Sequence, residues 1–419
     1  MLESAVYLRL SLVCARGTPV ADMLAHSPSF PLIIDHVNLN DDITPEDEEG
    51  IILALRHRDR VRRIRFRKSV AVLRKLIQAL DGEFPILEYL YAMPRQYQRP
   101  APRHNTSLNL PETFRAPHLH QLLLMSFSIP IGSPLLTTMG NLVTLSLSSI
   151  PRSAYFHPNA LLERVSLMPQ LRALGIFFNT YNPSGNVQRQ LLRTPITTRV
   201  TLPNLRALGF QGASNYLEAL LPWLTIPLLE TLQVYFFDQP TYFIPHLQQF
   251  MGTARNLRFK TATLAFREDY LYVTAYPRKG SRMYTFSMIL GSGHLNQQIE
   301  SAATVFHTLR TVLAAVEHLA LEREYDGSVI ALVWDNQNNR TRWRELLRTF
   351  SNVKTLCVDR RLVEELSSAL QPGEGESPTE VLPELQELSY FALGDLDSAF
   401  TVFKNARKEV GRPVNVVRL

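Results

Sequence analysis

His118 and His120 are the residues whose type and spacing first suggest chemistry. They flank Leu119, so on a strand their imidazoles would lie on the same side. Two histidines bind a metal ion only if a third ligand joins them, and His104 is the nearest candidate. Because the sequence does not bring that third histidine to the pair, we predict no metal site.

A glycine-rich turn, Gly291-Ser292-Gly293, is the one segment that could bind a phosphate group. It follows a predicted strand and precedes a helical stretch. A dinucleotide-binding fingerprint needs a third glycine at position 296, which is Asn296. We therefore interpret the turn as an ordinary connection and predict no cofactor.

Motifs for covalent or acid–base catalysis are missing. The sequence has neither a G-x-S-x-G motif nor an H-E-x-x-H motif, and no pair of acids stands alone in an apolar setting. We expect a protein that is not an enzyme. Its two cysteines, Cys14 and Cys357, fit reduced thiols in an intracellular compartment, the cytoplasm or the nucleus. Glu3 and Arg9 argue against a signal peptide, and we expect no membrane contact.

The strongest charge feature runs from Arg56 to Lys75, which contains ten basic residues and one acid in a chain of net charge +6. On a strand, Arg63, Arg65 and Arg67 would line up on the face opposite the apolar residues of RRIRFRK. Nucleic acid is one partner for such a stripe. No aromatic residues alternate with these arginines, so we favour charge that keeps an edge strand soluble, and we do not favour nucleic acid.

The elements that position these side chains follow a repeat: a Leu-like residue, two others, a Leu-like residue, one other and a Leu-like residue. Helical patterns occupy several intervals, for instance 69–80, 215–224 and 341–350. This alternation predicts an α/β fold, an irregular leucine-rich-repeat solenoid with parallel inner strands and outer helices. The ten copies begin 23 to 37 residues apart where they are consecutive, at Val61, Leu87, Leu119, Leu142, Leu171, Leu205, Leu229, Val316, Val353 and Leu385.

Two features make the repeat irregular. Only Asn179 occupies the ninth position, where leucine-rich repeats normally carry Asn or Cys, so the backbone ladder must be satisfied differently. Residues 261–290 are rich in β-formers with turn signals between them, which predicts a three-stranded β-meander inserted between repeats. We expect one solenoid over 44–419, preceded by an N-terminal segment, 1–43.

The repeat also predicts where a partner binds. Its first, fourth and sixth residues face the core, so the third, fifth and seventh face the open, concave side. Alanines and glycines in the middle of that side would leave room for another chain. The side chains that we expect to bind a protein or peptide are Arg63, Arg65, Tyr89, Tyr91, Met125, Phe177 and Tyr235.

Segments such as YLRLSLVCARGTPVADML, EDEEGIILALRHRDRVRRIRF, LPNLRALGFQG and YLEALLPWLTIPLLETLQV carry a family resemblance. The chain resembles the leucine-rich-repeat portion of the large F-box-like protein family of basidiomycete fungi. In that family an F-box segment docks on the adaptor of cullin–RING ubiquitin ligases, and the repeats are presumed to hold the substrate. The resemblance implies a non-catalytic substrate-recognition module.

The same resemblance places 1–43 just after an F-box, and the F-box helices themselves have no counterpart in this sequence. A fragment of a longer protein and a repeat-only relative both fit this observation. We expect binding to the ligase adaptor only if an F-box is restored. The alternative is a free-standing protein-interaction scaffold with no ligase link.

Overall fold

The computed structural model describes residues 12–26, 29–37, 44–95, 107–179, 195–239, 241–292, 295–324, 336–373, 375–391 and 399–419. The chain divides into two units. The first comprises Met1–Phe210 and Trp223–Pro227, and the second comprises Gln211–Pro222 and Leu228–Leu419. Both units combine strands and helices, which confirms an α/β fold.

The first unit is built on a mostly parallel sheet whose strand order is β1-β2-β3-β4-β6-β8-β9-β11. All pairings from β1 to β9 are parallel. The strands are β1 Leu12–Cys14, β2 Leu32–His36, β3 Val61–Lys68, β4 Tyr89–Pro94, β5 Leu108–Asn109, β6 Gln121–Met125, β7 Phe127–Ser128, β8 Thr144–Ile150, β9 Ala173–Phe178, β10 Val200–Thr201, β11 Ala207–Gly212 and β12 Leu224–Thr225, of which β11 ends in the second unit. The helices are α1 Val20–His26, α2 Pro45–Arg56, α3 Val70–Gln78, α4 Pro134–Thr137 and α5 Pro158–Val165.

The second unit has the strand order β13-β16-β15-β14-β17-β18-β19-β20. Its strands are β13 Thr231–Phe236, β14 Thr261–Phe266, β15 Tyr270–Tyr276, β16 Phe286–Gly291, β17 His318–Arg323, β18 Thr355–Val358, β19 Glu387–Tyr390 and β20 Asn415–Arg418. Its helices are α6 Ser214–Leu220, α7 Pro245–Thr253, α8 Leu295–Thr308, α9 Arg310–Leu313, α10 Asn336–Arg348, α11 Val363–Leu370 and α12 Thr401–Glu409.

The predicted meander is confirmed. β14 pairs antiparallel with β15, and β15 pairs antiparallel with β16. The two outer strands of the meander continue the parallel sheet, since β16 lies beside β13 and β14 lies beside β17. The insertion therefore widens the sheet of this unit by three strands instead of forming a separate layer.

The alternation of core and outward residues is also confirmed. All thirty apolar positions of the ten repeat copies are at most 6% exposed. A short turn precedes most repeat strands, as where the backbone N–H of Leu119 donates to the carbonyl of Ala116 at 3.1 Å. In most copies the first residue of the signature closes this turn and then enters the core, which explains why the signature begins before the strand.

Pairs of backbone N–H groups connect successive turns, where leucine-rich repeats normally use an Asn or Cys side chain at the ninth position. Before β6, the N–H groups of His120 and Gln121 both donate to the carbonyl of Glu88, at 2.8 and 3.0 Å. The same arrangement recurs in the second unit, where Lys354 and Thr355 both donate to the carbonyl of Glu317, at 2.8 and 3.1 Å. Each turn is thus tied to the preceding one without a side chain at the ninth position.

Local sequence signals fix the helices of the first unit. The Thr44 hydroxyl accepts a hydrogen bond from the Asp47 N–H at 3.1 Å, and Pro45 takes the first helical position of α2. Ser69 caps α3 in the same way. Helix α3 packs on β3 and β4 and buries Leu73, Leu76 and Ile77.

One interpretation of the arginine stripe is wrong. Charge that protects a free strand edge requires β3 to be an edge strand, but β3 lies between β2 and β4 and pairs with both. The sheet begins before residue 44, because β1 and β2 extend it on that side. The arginines of β3 therefore need a different explanation.

Candidate protein-binding faces

We define the first outward face as the side chains of β3, β4, β6, β8 and β9 that point away from the core. They are half-buried or exposed, except for the buried Gly175. Strand register places these side chains in rows across the sheet. One row contains Arg63, Tyr89 and Gln121, and the next contains Arg65, Tyr91, Leu123, Ser146 and Gly175.

The arginines of this face are only partly neutralised. Arg65 Nη1 lies 2.7 Å from Asp35 Oδ2, and the Arg63 guanidinium carbon lies 4.4 Å from the centroid of the Tyr89 ring. Among the described residues, Arg67 makes no ion pair, and the Nε atoms of all three arginines have no acceptor. Of these three guanidinium groups only that of Arg65 is paired with a carboxylate, so the outward side chains of β3 carry net positive charge.

The middle of the first outward face is apolar and sulfur-rich. The Tyr91 hydroxyl donates to Met93 Sδ on the same strand at 3.1 Å. Leu123 and Met125 on β6 are half-buried, and Met125 faces Ser148 on β8. The sequence prediction that Tyr89, Tyr91 and Met125 lie on one face with the arginines agrees with their placement.

Gly175 and Gly209 do not leave room for a partner, which corrects the sequence interpretation at these two positions. The ring of Phe177 lies over Gly175 and Gly209, where an added Cβ would come within 2.6 Å of a ring atom at either position. The glycines therefore make room for a side chain of the same unit. Phe177 is half-buried over them and presents only part of its ring.

Tyr235, the remaining predicted anchor, lies in the second unit. We define the second outward face as the side chains of β13 to β18 that point away from the core of the second unit. Its central row contains Tyr235, Ile289, Tyr272, Ala265 and Glu322. Asp359 follows β18, and its N–H donates to the carbonyl of Leu321 at 2.9 Å.

Tyrosines crowd one side of this second face. Burial raises the pKa of Tyr272 to about 12, with further contributions from Tyr235, Tyr284 and Tyr276. Burial and the neighbouring Tyr284 also raise the pKa of Tyr235. Gln233 Nε2 donates to the Tyr284 hydroxyl at 2.5 Å. The phenol groups are therefore close enough to interact with one another.

Carboxylates line the other side. Glu324 is paired with Arg267, whose Nη2 lies 2.6 Å from Oε2, and Arg267 Nη1 also donates to the Tyr270 hydroxyl at 3.0 Å. Burial raises the pKa of Glu322, the negative charges of Glu324 and Asp359 raise it further, and the positive charge of Arg267 lowers it. Glu322 thus lies among charges of both signs.

The meander tyrosines were missed by the sequence analysis. Tyr270, Tyr272 and Tyr284 lie outside the repeat signature, and the meander was interpreted only as an insertion. The alternation in YLYVTAY carried the signal, because it places Tyr270, Tyr272 and Tyr276 on one side of a strand. Tyr235 on β13 lies in the same row as Tyr272, with Ile289 of β16 between them.

The candidate metal and phosphate motifs are described only in part, because His104 and Gly293 lie outside the described residues. His118 and His120 are exposed in the turn before β6 instead of lying on the strand. Gly291 allows close approach of the backbone, since an added Cβ would lie 2.6 Å from the Asp238 nitrogen. Its carbonyl accepts from the Tyr242 hydroxyl at 2.8 Å. Over the described ranges, no group of three or more potential metal ligands occurs.

The two cysteines differ in environment. Cys14 is fully buried in β1, and burial raises the pKa of its thiol to about 11. Cys357 is half-buried on the second outward face, in register with Ala320 and Ser389. Both are free thiols, as the sequence predicts.

Comparison with known proteins identifies no family. No protein-family model matches the sequence, and no curated protein matches it. The resemblance to F-box-like repeat proteins therefore stays a prediction. In the part of the chain that the structure describes, no helix is both long and apolar enough to cross a membrane.

Proposed function

We propose that this chain is an intracellular, non-catalytic protein-binding module, an irregular leucine-rich-repeat solenoid that holds a protein or peptide on its first outward face. The observation that carries the proposal is the row structure of that face. Arg63, Tyr89 and Gln121 lie side by side on adjacent strands, next to Arg65, Tyr91 and Leu123. Arginine and tyrosine are the side chains that most often dominate the free energy of protein interfaces.

The arginines favour a partner with acidic groups. They occupy the centre of a paired sheet, so edge protection does not account for them. Asp35 pairs with Arg65 alone, which leaves Arg63 and Arg67 without an ion pair among the described residues. An acidic side chain of the partner would complete the charge pairing at Arg67 and Arg63, while Tyr91, Met93 and Met125 would bury its apolar neighbours.

The link to ubiquitin ligases rests on the family resemblance. Under that hypothesis the chain is the substrate-recognition part of an F-box receptor, and the adaptor binds only when an F-box is present. The alternative is a free-standing scaffold with the same binding face. The two free cysteines support an intracellular location for either.

Site-specific photocrosslinking tests the binding face. A photoreactive p-benzoylphenylalanine is placed at Gln121, which is exposed in the middle of the first outward face, and in a control at Arg74, which is exposed on α3. We expect the same polypeptide to be captured at Gln121 from a fungal lysate and not at Arg74. Its purified form should then bind the unlabelled chain, and Tyr91→Ala with Arg67→Gln should weaken that binding by tenfold or more, about 1.4 kcal/mol.

Three results would contradict the proposal. Capture at Arg74 alone would place the partner on the helical side of the sheet. Unchanged affinity in a folded Tyr91→Ala, Arg67→Gln variant would remove the first outward face from the interface. Turnover of a small-molecule substrate by the purified chain would contradict the non-catalytic assignment.

A further inference from the structure

We propose that Ser377 is a phosphorylation site for a protein kinase that requires proline directly after its serine, and that the phosphate loosens the loop 375–380 from α10. The inference does not depend on the proposed function of the first outward face. It rests on the surroundings of the Ser-Pro and Thr-Pro dipeptides and on the ion pairs that flank Ser377 in the second unit.

Ser377 is the exposed member of the set of serines and threonines that precede a proline within the described ranges. The other three are half-buried and lie just before a helix, at Thr18, Thr44 and Ser133. Thr44 and Ser133 cap α2 and α4, since their hydroxyls accept from backbone N–H groups at 3.1 and 3.3 Å. The Thr18 hydroxyl accepts from the N–H of a turn at 3.1 Å. A kinase binds its substrate in an extended form, so phosphorylation at these three positions would require a turn or a helix to open.

The Ser377 hydroxyl has only local partners in the part of the chain that the structure describes. Its Oγ lies 2.9 Å from Thr379 Oγ1 and accepts from the Thr379 N–H at 3.3 Å. The side chain is exposed, no helix or strand includes the residue, and Pro378 favours extended backbone before it. Ser377 therefore has the accessibility and the backbone form that such a kinase needs.

The modification is a phosphoryl transfer from ATP. A bond forms between Ser377 Oγ and the γ-phosphorus, and the bond from that phosphorus to the β–γ bridging oxygen breaks, with its electron pair leaving on ADP. The hydroxyl proton passes to the catalytic base of the kinase. The loop then carries a phosphate with a charge of about −1.5 to −2 at pH 7.

Ion pairs on both sides of this serine hold the loop on α10. Glu376 Oε2 lies 3.0 Å from Arg340 Nη2 and 3.1 Å from Arg344 Nη2. Glu380 Oε2 lies 3.0 Å from Arg344 Nη2, and Glu380 Oε1 lies 2.7 Å from Arg348 Nη2. The arginines are spaced by four residues, so successive turns of α10 present them on one face. We call these five side chains the arginine clamp.

Every guanidinium group of the arginine clamp is already paired with a carboxylate. Arg340 and Arg344 also donate to the carbonyl of Gln371, at 2.8 and 3.3 Å. A phosphate on the serine between Glu376 and Glu380 therefore either repels these carboxylates or displaces one of them from its arginine. In both cases the loop loses an ion pair with α10.

Kinase assays test the site. The kinase is one that phosphorylates synthetic peptides spanning 127–140 and 371–384, which contain Ser133 and Ser377. In the native chain we expect Ser377 to react within about fivefold of its peptide rate, and Ser133 to react at least about fivefold more slowly than its own peptide. Quantitative mass spectrometry measures each site, and Ser377→Ala is the control that removes the first signal.

Hydrogen exchange tests the loosening. In the fully phosphorylated chain, amides of the loop 375–380 should exchange at least about fivefold faster than in the unmodified chain, and kinase-treated Ser377→Ala should exchange at the unmodified rate. Arg340→Gln opens the arginine clamp directly. It should speed this exchange without phosphate, and it should reduce the further increase that the phosphate causes.

Three results would overturn the proposal. The first is a reaction of native Ser377 that is slower than its peptide by more than the stated factor, or a native Ser133 that reacts as readily by the same measure. The second is unchanged or slower exchange of the loop after phosphorylation. The third is an equal increase in wild type and Arg340→Gln, because the phosphate would then act independently of the arginine clamp.

Discussion

The first and second outward faces are both formed by the outward side chains of sheet strands, but they differ in charge and in the origin of their aromatic side chains. On the first, Arg65 is the only one of the three β3 arginines that is paired with a carboxylate among the described residues, and the tyrosines come from a regular repeat strand. On the second, one arginine faces the carboxylates of Glu322, Glu324 and Asp359, and most tyrosines come from the inserted meander.

The difference shows which positions determine the fold and which determine the binding character. In both units the first, fourth and sixth positions of each repeat copy are buried apolar residues. The side chains between them point outward and make few contacts with the core, so they can carry either charge without changing the strand pairing. An insertion that joins the sheet, as β14 to β16 do, adds outward side chains of a new type.

The largest expected effect tests the separation of core and outward positions. Leu122 and Leu123 are neighbours on β6, and Leu122 is fully buried whereas Leu123 is half-buried on the first outward face. We expect Leu122→Ala to lower the free energy of unfolding by about 2–5 kcal/mol and Leu123→Ala by less than about 1.5 kcal/mol. Urea denaturation of both variants measures the difference, and equal losses would refute the assignment of the faces.

Two glycine substitutions sharpen the comparison between the units. In Gly291→Ala, the new Cβ meets the backbone nitrogen of Asp238, which cannot move alone, and we expect a loss of about 1–3 kcal/mol. In Gly209→Ala, the new Cβ meets the tip of the Phe177 ring, which can swing outward. We expect a loss below about 1 kcal/mol there. Thermal denaturation measures both, and a larger loss for Gly209→Ala would mean that the Phe177 ring is fixed.

A smaller effect concerns the ion pairs that Glu317 makes with Lys260 and Lys354, three residues that precede strands of the second unit. Hydrogen bonds from Lys260 at 2.8 Å and Lys354 at 2.9 Å lower the pKa of Glu317 from 4.5 to about 2. A carboxyl group whose pKa is lower in the folded state stabilises the fold above its unfolded pKa and loses this effect as the pH falls through the folded value. The difference in melting temperature between wild type and Glu317→Gln should therefore be largest above about pH 4.5 and shrink toward pH 2.

A constant difference across that pH range would show that Glu317 acts through packing or neutral hydrogen bonds. Lys404→Gln, on α12 of the same unit, is the control, because it removes one charge at a position away from Glu317. Its difference in melting temperature from wild type should not change in this way with pH. Differential scanning calorimetry at intervals of one pH unit resolves the two cases.

The smallest effect is kinetic and distinguishes the two cysteines. Cys14 is fully buried with a thiol pKa of about 11, and Cys357 is half-buried on the second outward face. At pH 8 we expect a thiol reagent to label one cysteine per native chain, at Cys357, and two in denaturant. Peptide mass spectrometry identifies the site. Rapid labelling of Cys14 in the native chain would contradict the burial of β1.

The sequence predicted the fold better than it predicted the surfaces. Apolar periodicity located the repeat strands and the meander because burial is a property of residue type and spacing. It did not reveal that β1 and β2 continue the sheet past β3, since their short strands lack the full signature. It also treated Gly175 and Gly209 as open space, because only the structure shows where the Phe177 ring lies.

Residues that come together from different strands were the hardest to predict. Tyr272 and Glu322 are fifty residues apart, and their pairing around Ala265 depends on the reversed order of the meander strands. Tyr89 and Arg63, by contrast, lie on consecutive repeat strands, so the signature alone aligned them. Strand order, which periodicity does not encode, separates the two cases.

A titration tests the central claim, that the first outward face binds acidic partners through its arginines. Labelled hexa-glutamate is titrated against wild type, an Arg63→Gln, Arg67→Gln variant and, as a control on the second outward face, Glu322→Gln. We expect hexa-glutamate to lose about tenfold in affinity only in the arginine variant. An equal loss in both variants, or no loss in the arginine variant, would contradict the account.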